Sequence, residues 1–372
     1  MQQLSEIRSF LSHGDHALAV RRLLDTALDS SDATLLEESI NLSKQFRTGA
    51  TDFEARALHL LEKLEQRPVP PQTIGKPLLE AKEISKTYSK GNFSLQPIQL
   101  SIATGDVLGV VGQNGNGKTT LLRCLAGQLS IDDGSIHYSQ LKRPDHYAIK
   151  HHVAFIPQRI PRWYGQLKDN LHFSASLSEI KGAENEVMVD FMLERLGLSE
   201  YAHLNWNQIS SGYRTRFEIA RILLQKPSLL ILDEPLANLD INAQQTILTD
   251  LRYMAKSAFH PMGVILSSQQ LHEVEKVADT VLMISNGACI HKTGAHQDTI
   301  PSTYVMELET TASREQLLGA IDADGVQLHF NGGFYTITTT TLTSQEIITR
   351  LVQQQIPVNY FRDITHSTKR FF

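Results

Sequence analysis

Residues 107–126, VLGVVGQNGNGKTTLLRCLA, contain the side chains with the clearest chemistry in this sequence. They follow the spacing G-x-x-x-x-G-K-[ST], with Gly112, Gly117, Lys118 and Thr119 in the fixed places. Glycines let successive backbone N–H groups converge on a polyphosphate at the positive end of the following helix. The Lys118 ammonium would then face the β- and γ-phosphates, and the Thr119 hydroxyl would bind Mg²⁺. A chance glycine-rich turn is the alternative, but an apolar strand before the loop and a helix after it favour a nucleoside triphosphate site.

Asp233 and Glu234 are a second set of residues suited to phosphate chemistry. They follow LLIL at 229–232, an apolar run that predicts a short buried strand. Open α/β sheets bind ligands at the carboxyl ends of their strands, so these carboxylates should lie beside the phosphate loop. Asp233 would complete the Mg²⁺ shell, and Glu234 would orient and deprotonate water. A purely structural acidic pair is the alternative.

Composition limits the classes of function that the chain can have. The 372 residues carry a net charge of −5 with acids and bases interspersed, a pattern without a basic face for nucleic acid. No apolar run approaches the roughly 18 residues that span a bilayer, and residues 1–16 lack the pattern of a secretion signal. Two cysteines cannot build a disulfide framework, and the scattered histidines match no zinc spacing. We therefore expect a chain in the reducing cytoplasm.

The hydrophobic pattern divides the chain into four consecutive parts. Residues 1–67 predict a bundle of three or four helices, with a helical docking module for a partner as the alternative interpretation. Residues 68–77 hold several prolines and predict a stiff linker. Residues 78–300 predict an antiparallel sheet beside a parallel core. Residues 301–372 follow the order βαββαβ, which predicts a small ferredoxin-like domain for assembly or regulation.

Several motifs occur together in one order along residues 78–299. They are an aromatic residue before the phosphate loop, the loop itself, a glutamine after a strand, a serine–glycine turn, LLILDEP, ANLD and a polar residue after VILSS. This set resembles the nucleotide-binding subunit of an ATP-binding cassette (ABC) transporter. The resemblance implies an α/β P-loop NTPase fold of ABC type, with a parallel core sheet, an antiparallel β subdomain and a helical subdomain. The predicted architecture adds an N-terminal all-α domain and a C-terminal α+β ferredoxin-like domain.

The resemblance also implies roles for individual residues. Tyr88 would stack on adenine, and Gln158 would contact Mg²⁺ and sense the transmembrane partner. Two cassettes of this family enclose two ATP molecules, so Ser210 and Gly212 would reach the γ-phosphate in the opposite subunit. Asp240 would lie in the loop that joins the two cassettes. The residues expected around the phosphates are Gly112, Asn114, Gly115, Asn116, Gly117, Lys118, Thr119 and Thr120.

Two positions depart from the family pattern. The signature turn is usually L-S-G-G-Q and here reads ISSGY at 209–213, so Ser211 replaces a glycine and Tyr213 replaces an amide. The family usually has a histidine where this chain has Gln269. An amide can donate a hydrogen bond to the γ-phosphate, but it cannot carry charge or shuttle a proton. With Glu234 and Gln269 as the catalytic side chains, the sequence predicts slow hydrolysis.

These observations predict an ATP-binding and ATP-hydrolysing subunit that powers a separate membrane permease. ATP and Mg²⁺ are the expected ligands, a second ABC subunit is the expected dimer partner, and the cytoplasmic face of the membrane is the expected location. The C-terminal domain is similar in size and place to that of many bacterial exporter ATPases, which favours export. One alternative is a weakly hydrolysing ABC protein that uses ATP binding as a regulatory or structural switch. Another is a soluble ABC ATPase outside transport, although the sequence shows neither a second cassette nor a basic arm.

Overall fold

The structure is a computed structural model, and it describes residues 2–30, 32–49, 52–66, 74–88, 93–142, 145–237, 239–257, 260–293, 303–323 and 325–365. The chain divides into two compact units, Met1–Lys292 and Thr293–Phe372. No helix in these described ranges is both long enough and apolar enough to cross a bilayer. The domain boundaries proposed from the sequence stay predictions, because much of the proline-rich linker and of the segment around residue 300 lies outside the described residues.

Four amphipathic helices form the N-terminal part of the first unit and confirm the helical prediction. Their apolar positions recur at three- and four-residue steps, which places Leu23, Ala57 and Leu61 in a common core. Asp32 begins the third helix by accepting hydrogen bonds from the backbone N–H groups two and three residues ahead. The helices are α1 (Gln2–Ser12), α2 (His16–Ser30), α3 (Ala33–Thr48) and α4 (Phe53–Glu65).

The rest of the first unit contains two sheets and the helices that cover them. The strands are β1 (Pro77–Thr87), β2 (Ser94–Ala103), β3 (Val107–Val111), β4 (Asp133–Tyr138), β5 (Val153–Ile156), β6 (Leu229–Leu232), β7 (Gly263–Ser268), β8 (Thr280–Ser285) and β9 (Ala288–Thr293). The helices are α5 (Lys118–Leu125), α6 (His146–His152), α7 (Leu167–Leu177), α8 (Gly182–Arg195), α9 (Ser211–Leu223), α10 (Ile241–Ala255) and α11 (Leu271–Glu275). Strands β1, β2 and β4 form the predicted antiparallel sheet, in the order β2-β1-β4.

The second sheet has the strand order β5-β6-β7-β3-β8-β9, and its neighbouring strands from β5 to β8 run parallel. Strands β3, β6 and β7 are buried along their whole length, which explains their continuous apolar runs. The carboxyl ends of β5, β6, β7 and β3 meet at one edge, which we call the carboxyl edge. This edge carries Gly112, Gln158, Asp233 and Gln269, each within two residues of a strand end.

Two local predictions need correction. The sequence predicts a strand over 152–156, whereas β5 begins at Val153 because His152 is the last residue of α6. The sequence predicts Ser210 or Ser211 as the N-cap of α9; Ser210 occupies that position, but within the described residues its side chain accepts no capping hydrogen bond from that helix. The predicted helix-rich segment from 167 to 196 is confirmed by α7 and α8.

The second unit has the βαββαβ order that the sequence predicts. Its elements are β10 (Tyr304–Glu309), α12 (Arg314–Ile321), β11 (Gln327–Asn331), β12 (Phe334–Thr339), α13 (Ser344–Gln353) and β13 (Tyr360–Asp363). The strands pair antiparallel in the order β11-β12-β10-β13. Both helices begin with a capping box, in which Ser313 pairs with Gln316 and Thr343 with Glu346. This arrangement confirms the ferredoxin-like prediction.

Candidate active site

The loop between β3 and α5 approaches neighbouring chain segments so closely that two of its positions require glycine. A Cβ atom at Gly112 would lie 2.3 Å from the carbonyl oxygen of Ile284. Gly117 has a φ of 103°, in the left-handed region, and a Cβ atom there would lie 2.6 Å from the ring of Phe93. Glycine at these two positions therefore lets the loop backbone follow the tight path that a phosphate loop requires.

Asn116 fixes this loop to the turn that follows β8. Its side-chain oxygen accepts a hydrogen bond from the backbone N–H of Asn286 at 3.1 Å, and its backbone oxygen accepts one from Gly287 at 3.1 Å. Asn114 and Gly115, by contrast, are exposed at the tip of the loop. The loop is thus anchored near its helix and open at its tip.

The Lys118 ammonium lies folded onto the loop, with only 4% of the side chain exposed. It donates hydrogen bonds to the carbonyl oxygens of Gly112 at 2.7 Å and Gln113 at 3.2 Å. It also lies 2.9 Å from Oε1 of Glu234, the second carboxylate after β6. This contact joins the two motifs that the sequence places more than a hundred residues apart. It also means that a bound phosphate would exchange with Glu234 as the partner of Lys118.

Asp233 is held from both sides by hydroxyl groups. The hydroxyl of Thr119 donates to Oδ2 at 2.7 Å, and that of Ser267 donates to Oδ1 at 2.7 Å. Ser267 also accepts a hydrogen bond from the backbone N–H of Glu234 at 2.8 Å. Both acidic residues are buried, and Glu234 has a φ of 50°, which is uncommon for a residue other than glycine. The carboxyl edge therefore brings together Lys118, Thr119, Asp233 and Glu234, as predicted.

A cavity of about 260 Å³ opens beside the two carboxylates. Gln158, which follows β5, forms part of its wall together with Asp233 and Glu234. The start of α9 contributes Ser211 and Arg214 to the opposite part of the wall. The structure therefore places Gln158 next to the acidic pair, where the sequence expects it.

A magnesium ion fits the donor set at this edge. Mg²⁺ prefers oxygen ligands, and the Asp233 carboxylate and the Thr119 hydroxyl lie within hydrogen-bond distance of each other. The described residues contain no cluster of three or more His, Cys, Asp or Glu side chains that could hold a metal by themselves. Such an ion would therefore take its remaining ligands from water and substrate phosphates, which is usual for Mg²⁺.

Comparison with known proteins agrees with this geometry. Residues 95–237 match the family model described as ABC transporter. The chain is 30% identical to the phosphonates import ATP-binding protein PhnC of Treponema denticola over 227 residues, which cover 57% of this chain and 88% of PhnC. It is 32% identical to the uncharacterized ABC transporter ATP-binding protein YxlF of Bacillus subtilis over 212 residues, or 56% of this chain and 68% of YxlF. CbiO1 of Clostridium perfringens, part of the ABC transporter complex CbiONQ, superposes with a TM-score of 0.53 at 26% identity over 59% of this chain and 89% of CbiO1.

The chain belongs to the ATP-binding subunits of ABC transporters. Its cassette is an ATPase of this family, and the identification rests on relatives that match across most of their own length. The four N-terminal helices lie outside the family model, which begins at residue 95.

Tyr88 lies close to the phosphate loop, although it follows β1 in the other sheet. Its hydroxyl is 3.4 Å from that of Thr120, and its ring is partly exposed. An aromatic ring in this place could stack on a base whose phosphates occupy the loop. The stacking role on adenine stays a prediction.

The signature turn of this ABC cassette lies beside the loop that contains ANLD. A Cβ atom at Gly212 would be 3.0 Å from a methyl carbon of Leu239. Asp240 accepts a hydrogen bond from the backbone N–H of Ala243 at 2.8 Å, so its side chain begins α10. Asn238 lies outside the described residues. Ser210 is exposed at the start of α9, and its contact with a second subunit stays a prediction.

The two departures from the ABC pattern differ in their surroundings. Tyr213 donates a hydrogen bond to the hydroxyl of Tyr201 at 2.8 Å, and the two rings lie 4.0 Å apart. This hydrogen bond, with a contribution from burial, raises the pKa of Tyr213. Tyr213 is therefore packed within its own subunit. Gln269 is exposed just beyond β7, on the same edge as the acidic pair.

Sequence reasoning missed the contribution of Ser267. It lies inside an apolar strand and is fully buried, yet it contacts both acidic residues. A hydroxyl group within an otherwise apolar run was the available signal. Arg214 and Thr215, on the cavity wall, were missed because nothing in the sequence separates them from other polar residues of α9.

Proposed function

We propose that this chain hydrolyses ATP to power a transporter whose permease is a separate protein. The observation that carries the proposal is the contact of the Lys118 ammonium with Glu234 beside the hydrogen-bonded pair of Thr119 and Asp233. These groups suit the triphosphate, the metal and the attacking water of phosphoryl transfer.

In this proposal, the loop and Lys118 bind the phosphates, and Glu234 is released from Lys118 to orient and deprotonate water. Asp233 and Thr119 would hold Mg²⁺ with Gln158 nearby, and the ion, when bound, would neutralise charge on the phosphates. Gln269 would donate a hydrogen bond to the γ-phosphate. Because an amide cannot take up a proton or carry charge, we propose that the turnover is slow.

We further propose that ATP joins two cassettes, each contributing its signature turn to the other. The exposed Ser210 and the neighbouring residues Gly212 and Leu239 support this proposal, because they bring the signature turn and the ANLD loop to one surface. The cassette would then act at the cytoplasmic face of the membrane, beside its permease.

The expectation of export has no support from the named relatives. PhnC is named for import, and YxlF is uncharacterized. The size and place of the C-terminal domain were the basis of that expectation, and neither determines the direction of transport.

Replacement of the proposed base tests the function. Glu234→Gln keeps the shape of the side chain but removes its basicity, so ATP should still bind while hydrolysis falls by about 100-fold or more. An ATP-dependent dimer should accumulate and be visible by size-exclusion chromatography with Mg-ATP. Glu184→Gln, an exposed substitution on α8, is the matched control and should behave like the wild type. A Glu234→Gln protein that hydrolyses ATP at the wild-type rate would overturn the proposal.

A further inference from the structure

The strand register places Ser267 opposite the start of the acidic pair. Leu232, the last residue of β6, pairs with Leu266 in β7, and Asp233, which follows β6, contacts Ser267, the next residue of β7. The Ser267 side chain has no exposed surface. The Ser267 hydroxyl is therefore buried at the point where the chain leaves β6.

That hydroxyl uses both its donor and its acceptor capacity on the acidic pair. The hydroxyl donates a hydrogen bond to Oδ1 of Asp233, and its oxygen accepts one from the backbone N–H of Glu234. Because Thr119 donates to the other oxygen of Asp233, the carboxylate is fixed against rotation. The hydrogen bond from Glu234 also holds a residue whose φ of 50° is uncommon outside glycine.

We propose that Ser267 is a positioning residue for ATP hydrolysis in this chain. It orients the oxygen of Asp233 that faces Thr119 and fixes the backbone from which the Glu234 side chain projects. An alanine could do neither, because its side chain has no polar atom. A cysteine of similar volume would do both poorly, because a thiol is a weak donor and a weak acceptor. The inference rests on the roles proposed above for Asp233 and Glu234.

The test separates metal-dependent turnover from nucleotide binding. In Ser267→Ala we expect kcat to fall by about tenfold or more and the Mg²⁺ concentration for half-maximal activity to rise several-fold, as when a hydrogen bond to a charged group is lost. The affinity for ATP in the presence of a Mg²⁺ chelator should stay within about twofold, because the loop is unchanged. Ser267→Cys should shift the same quantities in the same direction. Because a cysteine has a similar volume, this variant shows whether the change in Ser267→Ala comes from a folding defect.

Ser268→Ala is the matched control, since Ser268 is the adjacent buried hydroxyl but accepts a hydrogen bond from the backbone N–H of Gln270 instead. If Ser267→Ala and Ser267→Cys keep the wild-type kcat and Mg²⁺ dependence, the positioning role is overturned. The positioning role is also overturned if Ser268→Ala changes kcat and the Mg²⁺ dependence as much as Ser267→Ala does. Glu234→Gln measured in parallel distinguishes the two failures: if it also hydrolyses normally, the proposed function itself is wrong.

A different observation concerns the N-terminal helices, whose packing on the cassette is polar as well as apolar. Helices α2 and α3 both contact α8. Glu194 on α8 is buried and accepts hydrogen bonds from Ser43 at 2.7 Å and from Arg47 at 2.8 Å, both on α3. The carboxylate of Glu194 therefore receives its cationic partner and one hydroxyl from α3, and a second hydroxyl from Ser199 after α8.

Helix α2 is joined to α8 and to α10. The carboxylate of Asp25 on α2 forms ion pairs with Arg22 at 2.7 Å and with Arg195 of α8 at 2.5 Å, and all three residues are buried. Arg22 also lies 4.0 Å above the ring of Tyr253 on α10. These contacts link the N-terminal helices to two separate helices of the cassette, and a further ion pair between Arg21 and Asp250 strengthens the link to α10.

We infer that the N-terminal helices are an internal brace that holds α8 at a set distance from α10. Buried charges are costly unless each has its partner, so movement of α8 away from α10 would break several contacts at once. The chain leaving α8 leads to the signature turn, and Asp240, the N-cap of α10, follows Leu239, which lies beside that turn. The brace therefore restrains residues 196–210 relative to the carboxyl edge.

Hydrogen exchange on the full chain tests the brace. In Arg47→Ala and in Arg21→Ala we expect amide exchange in α8 and in residues 196–210 to become about tenfold faster. Each variant has already lost one contact of the N-terminal helices with α8 or α10, so local opening has fewer contacts to break. Arg8→Ala and Arg56→Ala are matched controls, since Arg8 and Arg56 pair with Glu65 and Asp52 inside the N-terminal helices. Faster exchange confined to the first two variants supports the brace. Equal exchange in all four variants, or a change confined to α1–α4, would overturn it.

Discussion

The carboxyl edge and the interface of the N-terminal helices with α8 and α10 both depend on buried charges, but they differ in how the charges are used. At the carboxyl edge, Lys118 and Glu234 pair with each other next to an open cavity. At the helical interface, the carboxylates of Asp25 and Glu194 pair with arginines of neighbouring helices, Arg195 and Arg47. The first pair joins the phosphate loop to the acidic residues after β6, whereas the second set joins helices to one another. The comparison indicates that the elements a buried charge pair joins, more than its burial, separate a candidate site from a structural link.

The largest expected effect is the loss of Asp25. Asp25→Ala would leave Arg22 and Arg195 without their carboxylate in a buried interface, so the free energy of unfolding should fall by about 3–5 kcal/mol. Urea denaturation measures this change. Asp52→Ala removes an exposed ion pair with Arg56 in the same helices and should cost about 0.5 kcal/mol or less. Equal losses in the two variants would show that the interface charges are no more structural than surface charges.

Lys118→Ala should act on ligand binding. The substitution removes the ammonium from the phosphate loop, and hydrogen bonds to charged groups are worth about 1.5–3 kcal/mol, so ATP should bind at least about tenfold more weakly. Isothermal titration calorimetry gives the affinity, and Lys142→Ala, on the exposed surface, is the control. An unchanged ATP affinity in Lys118→Ala would refute the assignment of the loop.

Gln269→His should change turnover more than binding. A histidine can stabilise charge on the γ-phosphate, and preorganised groups of this kind are worth about 10²–10³ in rate at optimised sites. Without the surroundings that support such a histidine, we expect a gain of about threefold to thirtyfold in the rate of phosphate release. The ATP affinity should change little. A rate that stays the same or falls, in a folded variant that binds ATP, would mean that the glutamine is adapted to this site.

The smallest effect at neutral pH is expected for Asp250. Burial raises the pKa of Asp250 to about 6. The positive charges of Arg21, Arg195 and Arg22 oppose this rise, and the negative charge of Asp25 adds to it. The folded chain therefore binds more protons at this site than the unfolded chain between about pH 4 and pH 6, so its free energy of unfolding falls as the pH rises through that window. At pH 7, Asp250→Asn should change the free energy of unfolding by less than about 1 kcal/mol, because burial outweighs the attraction of the Asp250 carboxylate to Arg21 and the ion pair adds little stability. Urea denaturation at pH 4.5 and at pH 7 tests this, and a pH slope that persists unchanged in the variant would exclude Asp250 as its source.

Local patterns in the sequence determined most of the fold. The apolar periods predicted the N-terminal helices, the two sheets and the βαββαβ order of the second unit, because each pattern matches the period of its element. The phosphate loop and the Asp233–Glu234 pair were also readable, since their chemistry requires fixed residue types within a few positions of a strand end. The boundaries of short elements were less certain: nothing in the local sequence separates the end of α6 from the start of β5.

Only the tertiary structure decided which distant residues meet. Ser267 reaches the acidic pair through strand register, and the interface pairs Ser43–Glu194, Arg47–Glu194 and Asp25–Arg195 lie 147 to 170 positions apart in the chain. Charged and hydroxyl residues at helical spacing look the same in sequence whether they face water or another helix. Their partners depend on how whole elements pack, and packing is set by the complete core rather than by any short segment. For this reason the sequence by itself determined the family, the nucleotide loop and the acidic pair, whereas the fold alone revealed the residue that positions that pair and the helices that hold α8 to α10.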